Sequence, residues 1–261
     1  WMNVAAVQPK LAAAVGWQFK NLGGADGRVA FIDGTPKVIK MLLQEEVRLD
    51  GVTAASSPSA TTEAAVCGNR SGAAAWFGLA RVDGTWSAGR SFGAPGSECL
   101  NLARRHDDGF LAVGHEVLSA SEKRATWWRL SPTGAVLADW HYTGAASSFF
   151  TDVTRDPTGS LFLIGQTDHA ASGQAGLFAR VDRHVAQTTT TVLSGPTSRE
   201  FYGIAWHPDG YLIATGNQNY SKSKDAGAAP LVITADPWGH TSCKSAGKCA
   251  AVALADCAPK T

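Results

Sequence analysis

The sequence predicts an all-β fold, a β-propeller of five four-stranded blades, and three observations carry that prediction. One block recurs at anchors Val4, Val52, Leu102, Val153 and Ile204, with spacings of 48, 50, 51 and 51 residues, and a period of about 50 residues marks an array or a propeller. Hairpin chemistry follows at fixed offsets inside the blocks, as at Asp108-Gly109, Thr158-Gly159 and Pro208-Asp209-Gly210. Helical periodicity is nearly absent, and Lys37 to Val47, the one ambiguous stretch, reads as strand plus loop.

Each block begins with an apolar residue, a small polar residue and the aliphatic anchor, and closes about ten residues later with a short apolar run and a glycine. The first copy, WMNVAAVQPKLAAAVG from Trp1, has a shortened turn, and the second, LDGVTAASSPSATTEAAVCG from Leu49, a longer one. The other three are CLNLARRHDDGFLAVG from Cys99, FTDVTRDPTGSLFLIG from Phe150 and FYGIAWHPDGYLIATG from Phe201. Second strands run over Leu111 to Val113, Leu161 to Ile164 and Leu212 to Thr215. The closing glycines, Gly16, Gly68, Gly114, Gly165 and Gly216, sit where the backbone must bend or pass close to a neighbour. Third strands follow at Val29 to Asp33, Trp76 to Val82, Thr126 to Leu130, Leu177 to Val181 and Leu231 to Ala235. Turns at Asp83-Gly84, Pro132-Thr133-Gly134 and Pro237-Trp238-Gly239 then lead to fourth strands such as Val136 to Tyr142 and Gln187 to Leu193. The blades so drawn are 1–48, 49–97, 98–148, 149–199 and 200–261, one domain without a linker; a larger ring cut at one end is the alternative.

The inner strands are small and aliphatic on both faces, as sheets sandwiched between sheets require. Bulky aromatics further out (Trp76, Phe77, Trp127, Trp128, Phe178) read as packing between blades rather than as a ligand platform. The polar residue before each anchor, Asn3, Gly51, Asn101, Asp152 or Gly203, is of a type that tolerates positive φ and reads as a turn.

The blocks resemble the delta-60 type of bacterial β-propeller repeat. Leu79-Ala80-Arg81-Val82-Asp83-Gly84 leading to Ser91-Phe92-Gly93, and Leu177-Phe178-Ala179-Arg180-Val181-Asp182, carry the resemblance best. Gly203 to Gly210 is similar to the first strand of WD-repeat blades, without that family's Gly-His and Trp-Asp pairs. The resemblance implies a fold and an exported, surface-associated setting, and it transfers no catalytic residue. The tail from Asp236 through Cys257 resembles the junction before cysteine-rich modules of bacterial surface proteins, which implies further domains of a longer chain.

Composition narrows the function classes. A net charge of +1, with Lys and Arg scattered, lacks the electrostatic footprint of nucleic-acid or anionic-membrane binding. No apolar run approaches the ~20 residues of a membrane span. Apolar residues make up 44% and charged ones only 17%, so surface polarity comes largely from Ser, Thr, Asn, Gln and Gly. Few Met, abundant Thr, Ser, Gly and Ala, and cysteines gathered at one end fit a secreted or cell-surface bacterial protein. The five cysteines, Cys67, Cys99, Cys243, Cys249 and Cys257, are an odd count, which leaves a disulfide or a zinc site open; the tail spacings of six and eight are unlike a C-x-x-C knuckle.

Two constellations are candidate sites. Asp50, Glu98, Asp152 and Glu200 lie near the starts of the inner strands, where several acids around one axis suit a divalent cation such as Ca²⁺, or the acid and base of glycoside cleavage. The residues after the closing glycines, Trp17, Asn69, His115, Gln166 and Asn217, offer four hydrogen-bonding groups and an indole at one repeated position, the donor set of a sugar or peptide pocket. The plainer alternatives are solvated acids and strand-end caps. The loop Asn217 to Lys222 is the richest in polar contact groups. No Ser stands in a nucleophile elbow, no His pair has zinc-protease spacing, and His169 and His207 read as turn residues. The function expected is therefore a non-catalytic recognition or scaffold module for a glycan or protein ligand, with no cofactor beyond a possible role for Ca²⁺. A carbohydrate-active hydrolase is the alternative.

Overall fold

The computed structural model describes residues 3–19, 25–33, 35, 37–55, 63–70, 73–119, 122–145, 147–169, 173–185, 187–194, 198–218 and 229–241. Among them every regular element is a strand. The chain forms two compact units, Trp1–Ala120 with Thr126–His141, and Ser121–Ala125 with Tyr142–Thr261.

The first unit holds three four-stranded antiparallel sheets, each of consecutive strands, apart from residues 123–125, which fall in the second unit. They are β1 (Asn3–Gln8), β2 (Leu11–Phe19), β3 (Ala25–Asp33) and β4 (Val38–Gln44); β5 (Val47–Ala54), β6 (Glu63–Arg70), β7 (Ala75–Arg81) and β8 (Trp86–Phe92); and β9 (Glu98–Arg104), β10 (Phe110–Val117), β11 (Lys123–Leu130) and β12 (Val136–His141). The second unit holds β13 (Ser148–Arg155), β14 (Leu161–His169), β15 (Gly173–Val181) and β16 (Thr188–Leu193) in one sheet, and β17 (Arg199–His207), β18 (Tyr211–Gln218) and β19 (Ala229–Ala235) in another. This is the predicted blade pattern, with β4 where strand plus loop was expected. In the fifth sheet the Pro237-Trp238-Gly239 turn brings Thr241 back against Ala235. The fourth strand expected beyond that turn, and the three tail cysteines, lie outside the described residues.

Apolar alternation on both faces explains the stacking. On β6, Ala64 and Val66 join a core with Val15, Val29, Phe31 and Leu49, while Ala65 and Cys67 join another with Phe77, Leu102, Phe110 and Trp128. In the second unit Phe162, Ile164, Phe178, Phe201 and Ile204 form the corresponding core. Full burial of each such ring is worth roughly 1.5–3 kcal/mol. Trp76, Phe77, Trp128 and Phe178 pack in the cores between sheets as expected, while Trp127 stacks on Trp140 of its own sheet. Turn glycines cover two of them, because a Cβ on Gly134 would fall 2.2 Å from Phe77 and one on Gly239 2.5 Å from Phe178. A disulfide joins Cys67 of β6 to Cys99 of β9, with Cα atoms 5.8 Å apart.

The residue before each anchor is not a turn. Asn3, Gly51, Asn101, Asp152 and Gly203 all lie inside inner strands, and none has positive φ. What the pattern marks is a β-bulge: the register slips between Leu49 and Gly51, between Cys99 and Asn101, between Phe150 and Asp152, and between Phe201 and Gly203. The extra residue sits two before the anchor, as Asp50, Leu100, Thr151 or Tyr202. A bulge bends its strand, so the carbonyl four before the anchor turns into the space over the closing glycine. A Cβ on Gly68, Gly114, Gly165 or Gly216 would lie 1.7, 1.9, 2.0 or 1.9 Å from the carbonyl oxygen of Arg48, Glu98, Phe149 or Glu200. His169 and His207, read as turn residues, are instead the last residues of β14 and β17.

Candidate functional site

The bulge brings the two sequence constellations together in pairs. Because the closing glycine pairs with the residue three before the anchor, the residue after it faces the one four before the anchor. Asn69 thus lies opposite Arg48, His115 opposite Glu98, Gln166 opposite Phe149 and Asn217 opposite Glu200. Two of these pairs, His115 with Glu98 and Asn217 with Glu200, join a residue of one set to an acid of the other.

In the first unit this position is built around Arg48. Its Nε donates to Asp50 and its Nη2 to Glu98, each at 2.8 Å, so one guanidinium from β5 ties together carboxylates of adjacent sheets. The Trp17 indole of β2 lies near Asp50 and favours its charged form. Burial raises the pKa of Asp50 above the ordinary carboxylate value, while Arg48 and the indole pull it back. All four side chains keep some access to solvent. Trp17, Asp50 and Glu98, drawn from both predicted sets, therefore form one amphipathic patch: a flat apolar ring beside a fixed row of charge. His115, only 2% exposed, is buried behind Glu98.

In the second unit the patch is Glu200, Tyr202 and Asn217. The Tyr202 hydroxyl donates to the Glu200 carboxylate and accepts from Asn217 Nδ2 at 3.4 Å, while its ring stands half exposed. Asp152 is placed differently. Its Oδ1 accepts the amide of Val153 at 2.8 Å and its Oδ2 that of Ile204 at 2.7 Å, so this carboxylate stitches β13 to the neighbouring β17. Asn101 and Asn3 make the same local contact to the following amide, both at 2.8 Å. Gln166 is 4% exposed and buried. Residues 219–222 of the polar loop lie outside the described residues.

Sequence reading missed Arg48 and Tyr202, the two groups that organise the patches. The signal was present in the alignment of the blocks: Arg48 occupies the position of Glu98 and Glu200, and Tyr202 that of Asp50. A cation in a register otherwise holding acids is the complement that pairs them.

No protein-family model and no curated protein matches the sequence. Solved structures do. A neuraminidase-like protein from A/bat/Guatemala/164/2009 aligns over 92% of this chain and 72% of its own, with a TM-score of 0.55 and 9% identity. The chain is a β-propeller. Drosophila Plexin A in complex with Semaphorin 1b aligns with it over 89% of this chain at a TM-score of 0.52 and 12% identity. The Bacteroides ovatus xyloglucan PUL GH43B protein aligns over 91% at 0.51 and 11%. The propeller spans about half the length of these last two, 51% and 53%. At such identities the likeness concerns the fold alone.

Proposed function

We propose that this propeller is a non-catalytic recognition module of an exported bacterial surface protein, built from repeats of the delta-60 type, and that it binds a glycan through the strand-end patches. The observation that carries this reading is the engagement of all four candidate acids. Arg48 holds Asp50 and Glu98, two backbone amides hold Asp152, and Tyr202 holds Glu200. Carboxylates fixed in this way act as oriented hydrogen-bond acceptors beside Trp17 and Tyr202, the pairing of flat ring and polar edge that sugars exploit. The Cys67–Cys99 disulfide supports an oxidising, extracytoplasmic setting. Protein ligands are the neighbouring possibility, since the solved propellers of similar fold include Plexin A in complex with Semaphorin 1b. The test is glycan-array binding of the purified chain with and without Ca²⁺. Saturable binding that disappears in Trp17→Ala and Asn217→Ala supports the reading, and a blank array in both conditions refutes it.

One observation favours a hydrolase as the second reading. Arg48 holds the carboxylates of Asp50 and Glu98 side by side, the kind of pair that glycoside cleavage uses, and burial pushes the pKa of Asp50 upward, the direction a general acid needs. Release of nitrophenol from aryl glycosides, abolished in Asp50→Asn, is the result that replaces recognition by catalysis.

A further inference from the structure

We infer that the outer half of the third sheet carries a binding site for a divalent transition-metal ion, of the Zn²⁺ class, formed by Glu116, Asp139 and His141. This set shares no residue with the acids singled out by the sequence and does not depend on the recognition reading. Asp139 and His141 are two apart on β12, so the period of the strand places both on one face of the sheet. Thr126 of β11 lies directly opposite His141, and Glu116 projects from the end of β10. One donor atom from each of Glu116, Asp139 and His141 falls within 4.8 Å of the other two. Donors around one tetrahedral ion at ~2.1 Å stand about 3.4 Å apart, so side-chain rotation of about an ångström draws this set onto one ion.

Charge and donor type select the ion. Two carboxylates beside an imidazole are a donor set that a dication takes. The Glu116 side chain is only 10% exposed, so its carboxylate gains most from a cation held at bonding distance. A mixed nitrogen and oxygen set suits Zn²⁺, Co²⁺ or Ni²⁺ better than Ca²⁺, which takes oxygen ligands alone. The imidazole stands between the two acids: Asp139 lies 2.8 Å from Nε2, Thr126 Oγ1 3.1 Å from Nδ1, and Glu116 3.6 Å from Nδ1. An ion takes one ring nitrogen, so binding requires one carboxylate to swing to the other's side, and Asp139, on the exposed edge strand, is the one with room to move. Asp139, 49% exposed on β12 at the edge of the sheet, leaves a route for entry. Three protein ligands leave a fourth position for water or a ligand group.

The test is calorimetric titration of the EDTA-stripped full chain with Zn²⁺, repeated with Co²⁺ to follow its visible absorption. One equivalent is expected to bind, with affinity reduced at least tenfold in both His141→Ala and Glu116→Gln, and undiminished in a Cys243→Ser, Cys249→Ser, Cys257→Ser triple variant. Asp139→Asn, at a half-exposed position that folding tolerates, provides the same readout if His141→Ala fails to fold, as judged by near-ultraviolet circular dichroism. Absence of Zn²⁺ binding at 0.1 mM (roughly the weak limit for a specific site), retention of full affinity in the folded His141, Glu116 or Asp139 variants, or loss of binding in the triple cysteine variant overturns the inference.

Discussion

Gly114→Ala is the sharpest probe of the bulge that shapes the ends of β5, β9, β13 and β17. The new Cβ would lie 1.9 Å from the Glu98 carbonyl oxygen, 3.0 Å from its carbon and 3.2 Å from Cys99 Cα. The contact floor for a Cβ is 3.0 Å, so the two strands must separate by more than about 1 Å, well outside the tolerance of a close-packed interior. The obstacle is backbone, and the adjacent Cys99 is held by its disulfide to Cys67, so no flexible side chain can give way. Overpacking costs about 1–3 kcal/mol, and disturbing one or two ladder hydrogen bonds adds about 1 kcal/mol each. The expected loss is therefore about 2–5 kcal/mol, which at 2–4 °C per kcal/mol for a chain of this size is a fall in Tm of roughly 4–20 °C. Gly210→Ala is the control. At φ +92° with nothing within 4 Å, it pays only for left-handed backbone, about 1–2 kcal/mol. Thermal melts of the two variants followed by near-ultraviolet circular dichroism decide the matter. If Gly114→Ala melts within ~2 °C of Gly210→Ala, the argument from backbone approach is wrong.

Asp152→Ala removes the acceptor of the Val153 and Ile204 amides and is expected to cost about 2–4 kcal/mol in urea unfolding, with Asp152→Asn losing less. Asp50, whose folded pKa is raised by burial, contributes stability that is fully present below its unfolded value of about 3.9 and is lost as pH rises through the folded value; urea midpoints of wild type relative to Asp50→Asn should therefore fall with rising pH. Asp107 has the opposite sign. Burial works against its charge, but Arg105, the Gly109 amide and Arg129 outweigh burial and lower its pKa, so its contribution is present above about pH 3.9 and disappears on acidification through the folded value. Asp107→Asn should then match wild type in strong acid and fall below it at neutral pH. Reducing the Cys67–Cys99 bridge, which spans 32 residues, is expected to cost about 3.5 kcal/mol by loop-closure entropy, measured as a shift of the urea midpoint with dithiothreitol.

The block period, the hairpin residues and the alternation of small and aliphatic side chains determined the blades, because each is a local property: a strand of period two, a turn that needs Gly or Asp, a sheet that must be apolar on both faces. The closing glycines were legible for the same reason, as positions with no room for a Cβ. The bulge was not. Whether Asn101 or Asp152 sits in a turn or just after an extra strand residue depends on the pairing register, and register is set by the partner strand. The site followed suit. Asp50, Glu98, Glu200, Trp17 and Asn217 could be singled out by type and offset, but that Arg48 would span two sheets to hold Asp50 and Glu98, while Asp152 turned to backbone amides, is decided by which strands lie side by side. Glu116, Asp139 and His141 come from two strands of one sheet and show no spacing motif at all. Only the hydrogen-bonded stacking of β10, β11 and β12 brings a metal-binding set out of residues 23 and 25 positions apart.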